Sequence, residues 1–301
     1  MNRSLRALPV LAAACLLLTA CTAGSQSASG AGTSGQVQVL ASFYPLQYVT
    51  QKVGGDLVTV SSLTPPGAEP HDVELSPREV RSVGESDLVV YLSGFQSAVD
   101  AAIAAREPAH LVDAADTVHL VKGHVGQEKS ALDPHFWLDP QRLASLAEPV
   151  AAALTAADPA RGDSYAANAT ALTADLTALD AEFTTGLATC ERRVIVTSHQ
   201  AFGYLADRYD LTLVGMSGLD PEAEPSPARL REIGDVVRKE GVTTIFSEQL
   251  VNPKVAQTLA SDLGITSAVL DPVESLTDPN SDYRGVMEKN LTVLRAALAC
   301  Q

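Results

Sequence analysis

Eight short apolar runs recur along the chain, and between them the apolar positions fall at helical spacing. In the first half they are VQVLA (37–41), LVTVS (57–61), LVVYL (88–92) and AHLVD (109–113). In the second half they are VIVTS (194–198), LTLVG (211–215), TTIFS (243–247) and TSAVL (266–270). Runs of this length alternating with amphipathic segments are the pattern of βα units around parallel sheets. Two sets of four predict an α/β protein of two lobes.

Helix starts are marked by cap residues followed by proline at the first helical position: Ser76-Pro77 with Glu79 two residues on, Ser226-Pro227 and Asn252-Pro253. Between the two sets, Asp158-Pro159 opens a proline-free stretch to about residue 188. Tyr165, Leu172, Leu176, Leu179, Phe183 and Leu187 recur there at three- and four-residue steps. The spacing predicts one amphipathic helix of about 30 residues, roughly 45 Å long. Its Ala- and Leu-rich composition favours a stiff joint over a flexible hinge. The expected division is an N-terminal lobe at 37–157, a linking helix at 158–189 and a C-terminal lobe at 190–301.

The first residues have a different character. Arg3 and Arg6 precede an apolar run over 7–20 that is too short to span a bilayer, so 1–20 reads as a signal peptide. It ends Leu18-Thr19-Ala20-Cys21, small residues before a cysteine, which makes Cys21 the candidate lipid anchor. The Ser/Gly/Ala-rich stretch completing 21–36 reads as a flexible tether. The expected location is extracytoplasmic, on the outer face of the cell membrane. Of four cysteines, Cys15 leaves with the signal and Cys21 takes lipid. Cys190 and Cys300 then remain in an oxidising compartment, where a single disulfide is the simplest reading. The formal charge is −15, and loss of Arg3 and Arg6 makes it −17, which argues against nucleic acid as a partner.

Six histidines are present: His71, His110, His119, His124, His135 and His199. Three have settings suited to holding an ion. His199 follows VIVTS directly and so projects from the carboxyl end of a parallel strand, the usual ligand crevice of open α/β sheets. His71 lies in the Pro- and Gly-rich PPGAEPHDVELSP (65–77), and His135 stands between two Asp-Pro pairs in ALDPHFWLDP (131–140), beside the only tryptophan. The prolines restrict both loops, and preorganisation favours a small ion. Phe136 and Trp137 are expected to pack beside His135, while Asp133 and Asp139 are open between orienting an imidazole and capping the next helix. A carboxylate would complete the set: Asp271 or Glu274 in LDPVESL, with Glu248 a weaker option. Three imidazoles and one carboxylate suit tetrahedral Zn²⁺; calcium and magnesium prefer oxygen ligands.

Six ordered segments extend this reading: SFYPLQYVTQKVGGD (42–56), PPGAEPHDVELSP (65–77), DPHFWLDP (133–140), TSHQAFGYLADRYDL (197–211), EPSPARLREI (224–233) and YRGVMEKNL (283–291). In these the chain resembles the metal-binding solute-binding lipoproteins of ABC importers for zinc and manganese. The resemblance implies two Rossmann-like lobes bridged by one rigid helix, with metal in the cleft between them and delivery to an ABC permease. It assigns the ligating histidines to His71, His135 and His199. Manganese-type members usually carry a carboxylate at the position of His199, so zinc is expected ahead of Mn²⁺. Relatives use either an aspartate at the position of Asp271 or a glutamate three residues on. The Leu-x-Pro-x-Glu pattern here favours Glu274, with Asp271 the alternative. A long His-rich loop of many relatives is replaced by TVHLVKGHVGQEK (117–129), short and carrying only His119 and His124.

The expected function is therefore a monomeric extracytoplasmic receptor for Zn²⁺ cargo, anchored at the membrane surface and without catalysis. Competing classes are a receptor for manganese or another divalent metal, a zinc hydrolase and a zinc-stabilised surface adhesin. No His-Glu-x-x-His, Gly-x-Ser-x-Gly or Walker A motif accompanies the histidines. At the reference histidine pKa, zinc binding is expected to weaken as pH falls through about 6.5.

Overall fold

Each of the eight apolar runs forms a strand. The computed structural model describes residues 35–123 and 132–301. The expected signal peptide, Cys21, most of the tether and His124 lie outside the described residues. Strands β1 (Val37–Ala41), β2 (Val58–Ser62), β3 (Leu88–Tyr91) and β4 (Leu111–Asp113) make one sheet in the order β2-β1-β3-β4. Strands β5 (Val194–Thr197), β6 (Thr212–Gly215), β7 (Thr244–Ser247) and β8 (Thr266–Val269) make a second in the order β6-β5-β7-β8. Every pairing is parallel. The two halves thus repeat one topology, and all strand carboxyl ends within a sheet lie along one edge.

Strand limits follow the ladder rather than the apolar run. Only residues 89–91 of β3 find partners on β4, at 111–113, so Ala109 and His110 of the fourth run stay outside it. The central strands β3 and β7 are buried at every position, as expected where helices cover both faces.

The helices are α1 (Tyr44–Gly54), α2 (Pro77–Glu85), α3 (Ser97–Arg106), the short α4 (Ala115–Val118), α5 (Pro140–Ala144), α6 (Ala147–Ala157), α7 (Gly162–Gly186), α8 (Gly203–Arg208), α9 (Pro227–Glu240), α10 (Lys254–Leu263) and α11 (Tyr283–Leu298). Ser76 caps α2 in a reciprocal box: its Oγ accepts from the Glu79 N–H at 3.3 Å, and its own N–H donates to Glu79 Oε2 at 2.7 Å. Ser226 caps α9 on one side only, its Oγ accepting from the Arg229 N–H at 3.2 Å. Asn252 differs by one place, because α10 begins after Pro253, at Lys254, whose N–H donates to Asn252 Oδ1 at 3.1 Å.

The long helix is α7, 25 residues and about 37 Å. It is shorter than the pattern predicted because Pro159–Arg161 forms a separate 3-10 turn before it. Its apolar stripe of Tyr165, Ala169, Leu172, Leu176, Leu179 and Phe183 is buried. It packs on α1, α5 and α6 of the first half and on α11 of the second. Its other face is also tied to the second half: Arg208 forms a fork on Asp180 at 2.6 and 2.7 Å, and Arg284 pairs with Asp175 and Glu182. The largest apolar cluster runs without a break from Val37 through α7 to Leu298, so the two sheets share a core beneath their ligand-bearing edges. A disulfide joins Cys190 to Cys300 and closes the end of α11 onto the segment before β5. Among the described residues, no helix is long and apolar enough to cross a membrane.

Candidate metal centre

Four loops leave the carboxyl edges of the two sheets and meet. His71 follows β2, His135 lies between β4 and α5, His199 comes directly after β5, and Glu274 follows β8. One donor atom from each lies within 4.8 Å of all the others. From Glu274 Oε1 the distances are 3.1 Å to His135 Nε2, 3.6 Å to His71 Nε2 and 3.6 Å to His199 Nε2. His135 Nε2 is 3.3 Å from His71 Nε2 and 3.4 Å from His199 Nε2. A tetrahedron with bonds of 2.0–2.1 Å has edges of about 3.3–3.4 Å. Five of the six edges, at 3.1–3.6 Å, scatter about that value.

Each of the four side chains is held by its own local device. In the His71 loop, Pro66 and Gly67 occupy the middle of a turn closed by the Ala68 N–H on the Pro65 carbonyl at 3.0 Å. Gly67 sits at φ +77°, which glycine adopts without penalty. Buried Gln96 donates to the Pro70 carbonyl at 3.0 Å, and the His71 ring stands edge-on to Phe95 with centroids 4.8 Å apart.

His135 is fixed by Asp133, whose Oδ1 accepts from the His135 backbone N–H at 2.9 Å and lies 2.7 Å from the ring Nδ1. That pairing selects the tautomer that points Nε2 into the cluster. Asp139 has the other role left open by the sequence: it caps α5 through the Gln141 N–H at 2.9 Å and pairs with Arg142 and Arg208. Phe136 and Trp137 are wholly buried. Trp137 Nε1 donates to the Pro272 carbonyl at 2.7 Å, and Tyr283 donates to the Trp137 carbonyl at 2.6 Å, which fastens the His135 loop to the second half.

His199 leaves β5 with its Nδ1 2.6 Å from Glu248 Oε2, so Glu248 stands behind this imidazole as Asp133 stands behind His135. Gly215 makes room for the turn: a Cβ there would lie 2.5 Å from Gln200 Cγ and 2.7 Å from the Ser217 carbonyl oxygen. Glu274 is aimed by an unusual backbone. Val273 holds φ +58°, a conformation costly for a β-branched residue, and its N–H donates to Asp271 Oδ1 at 2.8 Å. Asn290 clamps Asp271 by both main-chain groups, at 3.0 and 2.7 Å. Asp271 therefore shapes the turn that presents Glu274 and is not among the four grouped donors.

The site is deeply shielded on all but one side. The side chains of His135 and His199 are 0% exposed and Glu274 is 1%, whereas His71 is 15%. Glu274 Oε1 is buried with no aligned hydrogen-bond donor, which suits an atom directed at a cation. Burial pulls the pKa of His199 down, but Glu248 and Glu274 outweigh it and raise it to about 10. For His135 burial is likewise outweighed by Asp133 and Glu274, and its pKa is raised. His71 moves the other way, lowered chiefly by burial. Burial opposes ionisation of Glu274, yet its three histidine partners hold its carboxyl well below the usual range. In the metal-free cluster the carboxylates thus favour a proton on His135 and His199, while burial favours neutral His71. Proton competition consequently extends far above the pH of about 6.5 expected from isolated histidines.

Comparison with known proteins identifies the lineage. The family model described as "Zinc-uptake complex component A periplasmic" (ZnuA) matches residues 39–297. The chain belongs to this family. Among ZnuA-family relatives, the "High-affinity zinc uptake system protein ZnuA" of Bacillus subtilis is 32% identical, with 96% of each chain covered. The "Zinc-binding protein AdcA" of Streptococcus pyogenes serotype M3 is 32% identical over 87% of this chain, which spans 56% of that relative's length. Among solved structures, the laminin-binding protein Lmb of Streptococcus agalactiae superposes with a TM-score of 0.80 at 34% identity, covering 87% of this chain and 99% of that one. It is described as a bifunctional protein with adhesin and metal-transporting activity. The Zn(II)-bound ZnuA-like domain of Streptococcus pneumoniae AdcA gives a TM-score of 0.75 at 32% identity, covering 88% and 99%.

Of the residues the sequence singled out, His71, His135, His199 and Glu274 meet, whereas the alternatives Asp271 and Glu248 do not join the four. His110 is exposed at the approach to β4, and His119 ends α4 at φ +48°. Missed in the sequence were Gln96, Asn290 and Glu69. Glu69 accepts the His71 N–H at 3.0 Å, and burial raises its pKa to about 7. Nothing in a single sequence separates these three from ordinary polar residues, since each acts through a contact between segments.

Proposed function

We propose that this chain captures Zn²⁺ outside the cell through His71, His135, His199 and Glu274 and delivers it to an ABC permease. The observation that carries the reading is the four-donor cluster, two side chains from each sheet, with five of its six edges at 3.1–3.6 Å and all donors within 4.8 Å of one another. Glu274 fills the position that a zinc hydrolase would leave to water, which favours binding over catalysis. The nitrogen-rich donor set ranks Mn²⁺ behind zinc. Zinc-binding relatives of matching length support the same assignment.

On this reading residues 1–20 are removed, Cys21 carries lipid, and 21–36 tethers a monomer to the outer face of the membrane. The working units are the lobes 37–157 and 190–301, joined by 158–189. Cargo must be released, so the fold must survive without it. The apo protein is expected to melt cooperatively, and zinc to raise the melting temperature by ligand linkage. Loss of the folded state in chelator would contradict a transport role. Zinc-dependent turnover of ester or peptide substrates that vanished in His199→Ala would replace it with hydrolysis.

A further inference from the structure

The loop carrying His71 is fastened unlike the other three. His135 is tied to the second half through Trp137, Pro272 and Tyr283, and Tyr204 adds a bond from its hydroxyl to the Asp133 carbonyl at 2.8 Å. His199 and Glu274 belong to the second half already. The His71 arm, residues 63–76, makes one hydrogen bond to the second half among the described residues, besides the facing of its imidazole on Glu274. The Gly67 N–H donates to Ser275 Oγ at 2.7 Å. Ser275 is buried and directly follows the ligand Glu274. Beside the arm lies a cavity of about 250 Å³, lined by Glu69 on the arm and by Ser198, Ser217, Glu222 and Asn252 on the other side. His71 is also the ligand with measurable exposure.

Resting on the zinc-receptor reading above, we infer that Ser275 is a positioning residue that latches the His71 arm shut and so sets the rate at which the metal leaves. The geometry gives the order of events. The arm is anchored to its own lobe at Thr64, which bonds the Ser42 carbonyl, and at Pro70 by Gln96, while the internal turn Pro65–Ala68 keeps the tip between these anchors as a preformed unit. Breaking the Gly67–Ser275 bond frees its tip toward the cavity and withdraws His71 from the cluster. Three ligands then remain on rigid supports while a way out opens beside them. Gly67, at φ +77°, makes the turn that carries this N–H without strain. Zinc leaves as the hydrated ion or to an acceptor, and no covalent bond changes.

The test is stopped-flow release of Zn²⁺ from the full-length protein into excess chelator. Ser275→Ala is expected to speed release about two- to tenfold, the range for loss of one hydrogen bond, with the association rate and the apo melting temperature unchanged. Ser275→Thr, which keeps the hydroxyl, is expected to restore slow release. In the His71→Ala background Ser275→Ala is expected to have no further effect, because the latch acts only through that arm. Release unchanged by Ser275→Ala, or the same acceleration with His71 already absent, overturns the latch. If the unmodified protein binds no zinc, the functional reading fails first and the latch with it.

Discussion

Zinc binding at pH 8 is predicted to expel about one proton from His199. Its pKa is held near 10 in the metal-free cluster by Glu248, 2.6 Å from Nδ1, and by Glu274, 3.6 Å from Nε2. At pH 8 this imidazole is therefore about 99% charged, and ligation must strip it. Two pKa units at about 1.4 kcal/mol each make that cost roughly 3 kcal/mol, or about 100-fold in apparent affinity relative to the high-pH plateau. His135, also raised, adds to the release. Three imidazoles at the ordinary pKa of about 6.5 would together release only about 0.1 proton at this pH. Titration calorimetry at pH 8 in buffers of different ionisation enthalpy reads the number directly. A release of one proton or more is expected, falling in Glu248→Gln. A value near 0.1 in the unmodified protein would refute the carboxylate-loaded cluster.

Other consequences are as specific. Asp133→Asn and Glu248→Gln each keep every ligand but weaken imidazole orientation, so zinc affinity corrected for proton competition is expected to fall about 10- to 100-fold in chelator competition. Stability of the apo protein has two pH edges. The raised His199 contributes fully below about 6.5 and its contribution is lost as pH rises toward about 10, while the depressed Glu274 contributes above about 4.5 and is lost on further acidification. Denaturant midpoints across pH 3–10 should therefore fall at both ends, and zinc should flatten the alkaline one. Reducing Cys190–Cys300, which closes a separation of 110 residues, is expected to cost about 4–5 kcal/mol of unfolding free energy, read by denaturant curves with and without reductant. Trp137→Phe leaves the Pro272 carbonyl without its donor and should cost about 1–3 kcal/mol on the same assay.

The sequence was most informative where one residue type is forced by local physics. Apolar runs of four or five had to be strands, and Ser76 and Ser226 before proline had to cap helices, because such choices depend on near neighbours. Ladder ends were less legible, since β4 stops where β3 stops offering partners. Three histidines could be chosen by their stiff loops, but the carboxylate that joins them could not be fixed from LDPVE alone. Its choice depends on Asn290, 19 residues on, which engages both main-chain groups of Asp271 and leaves Glu274 to point inward. The pH behaviour was less legible for the same reason: reference values describe an isolated imidazole, and Glu248 is brought to His199 by the pairing of β5 with β7.

The central claim is that four named side chains hold one zinc ion. Metal analysis of purified protein and single variants tests it most directly. One zinc per chain is predicted for the unmodified protein and for His119→Ala, with loss of stoichiometric zinc in His71→Ala, His135→Ala, His199→Ala and Glu274→Ala. Stoichiometric zinc in all three histidine variants would contradict the account.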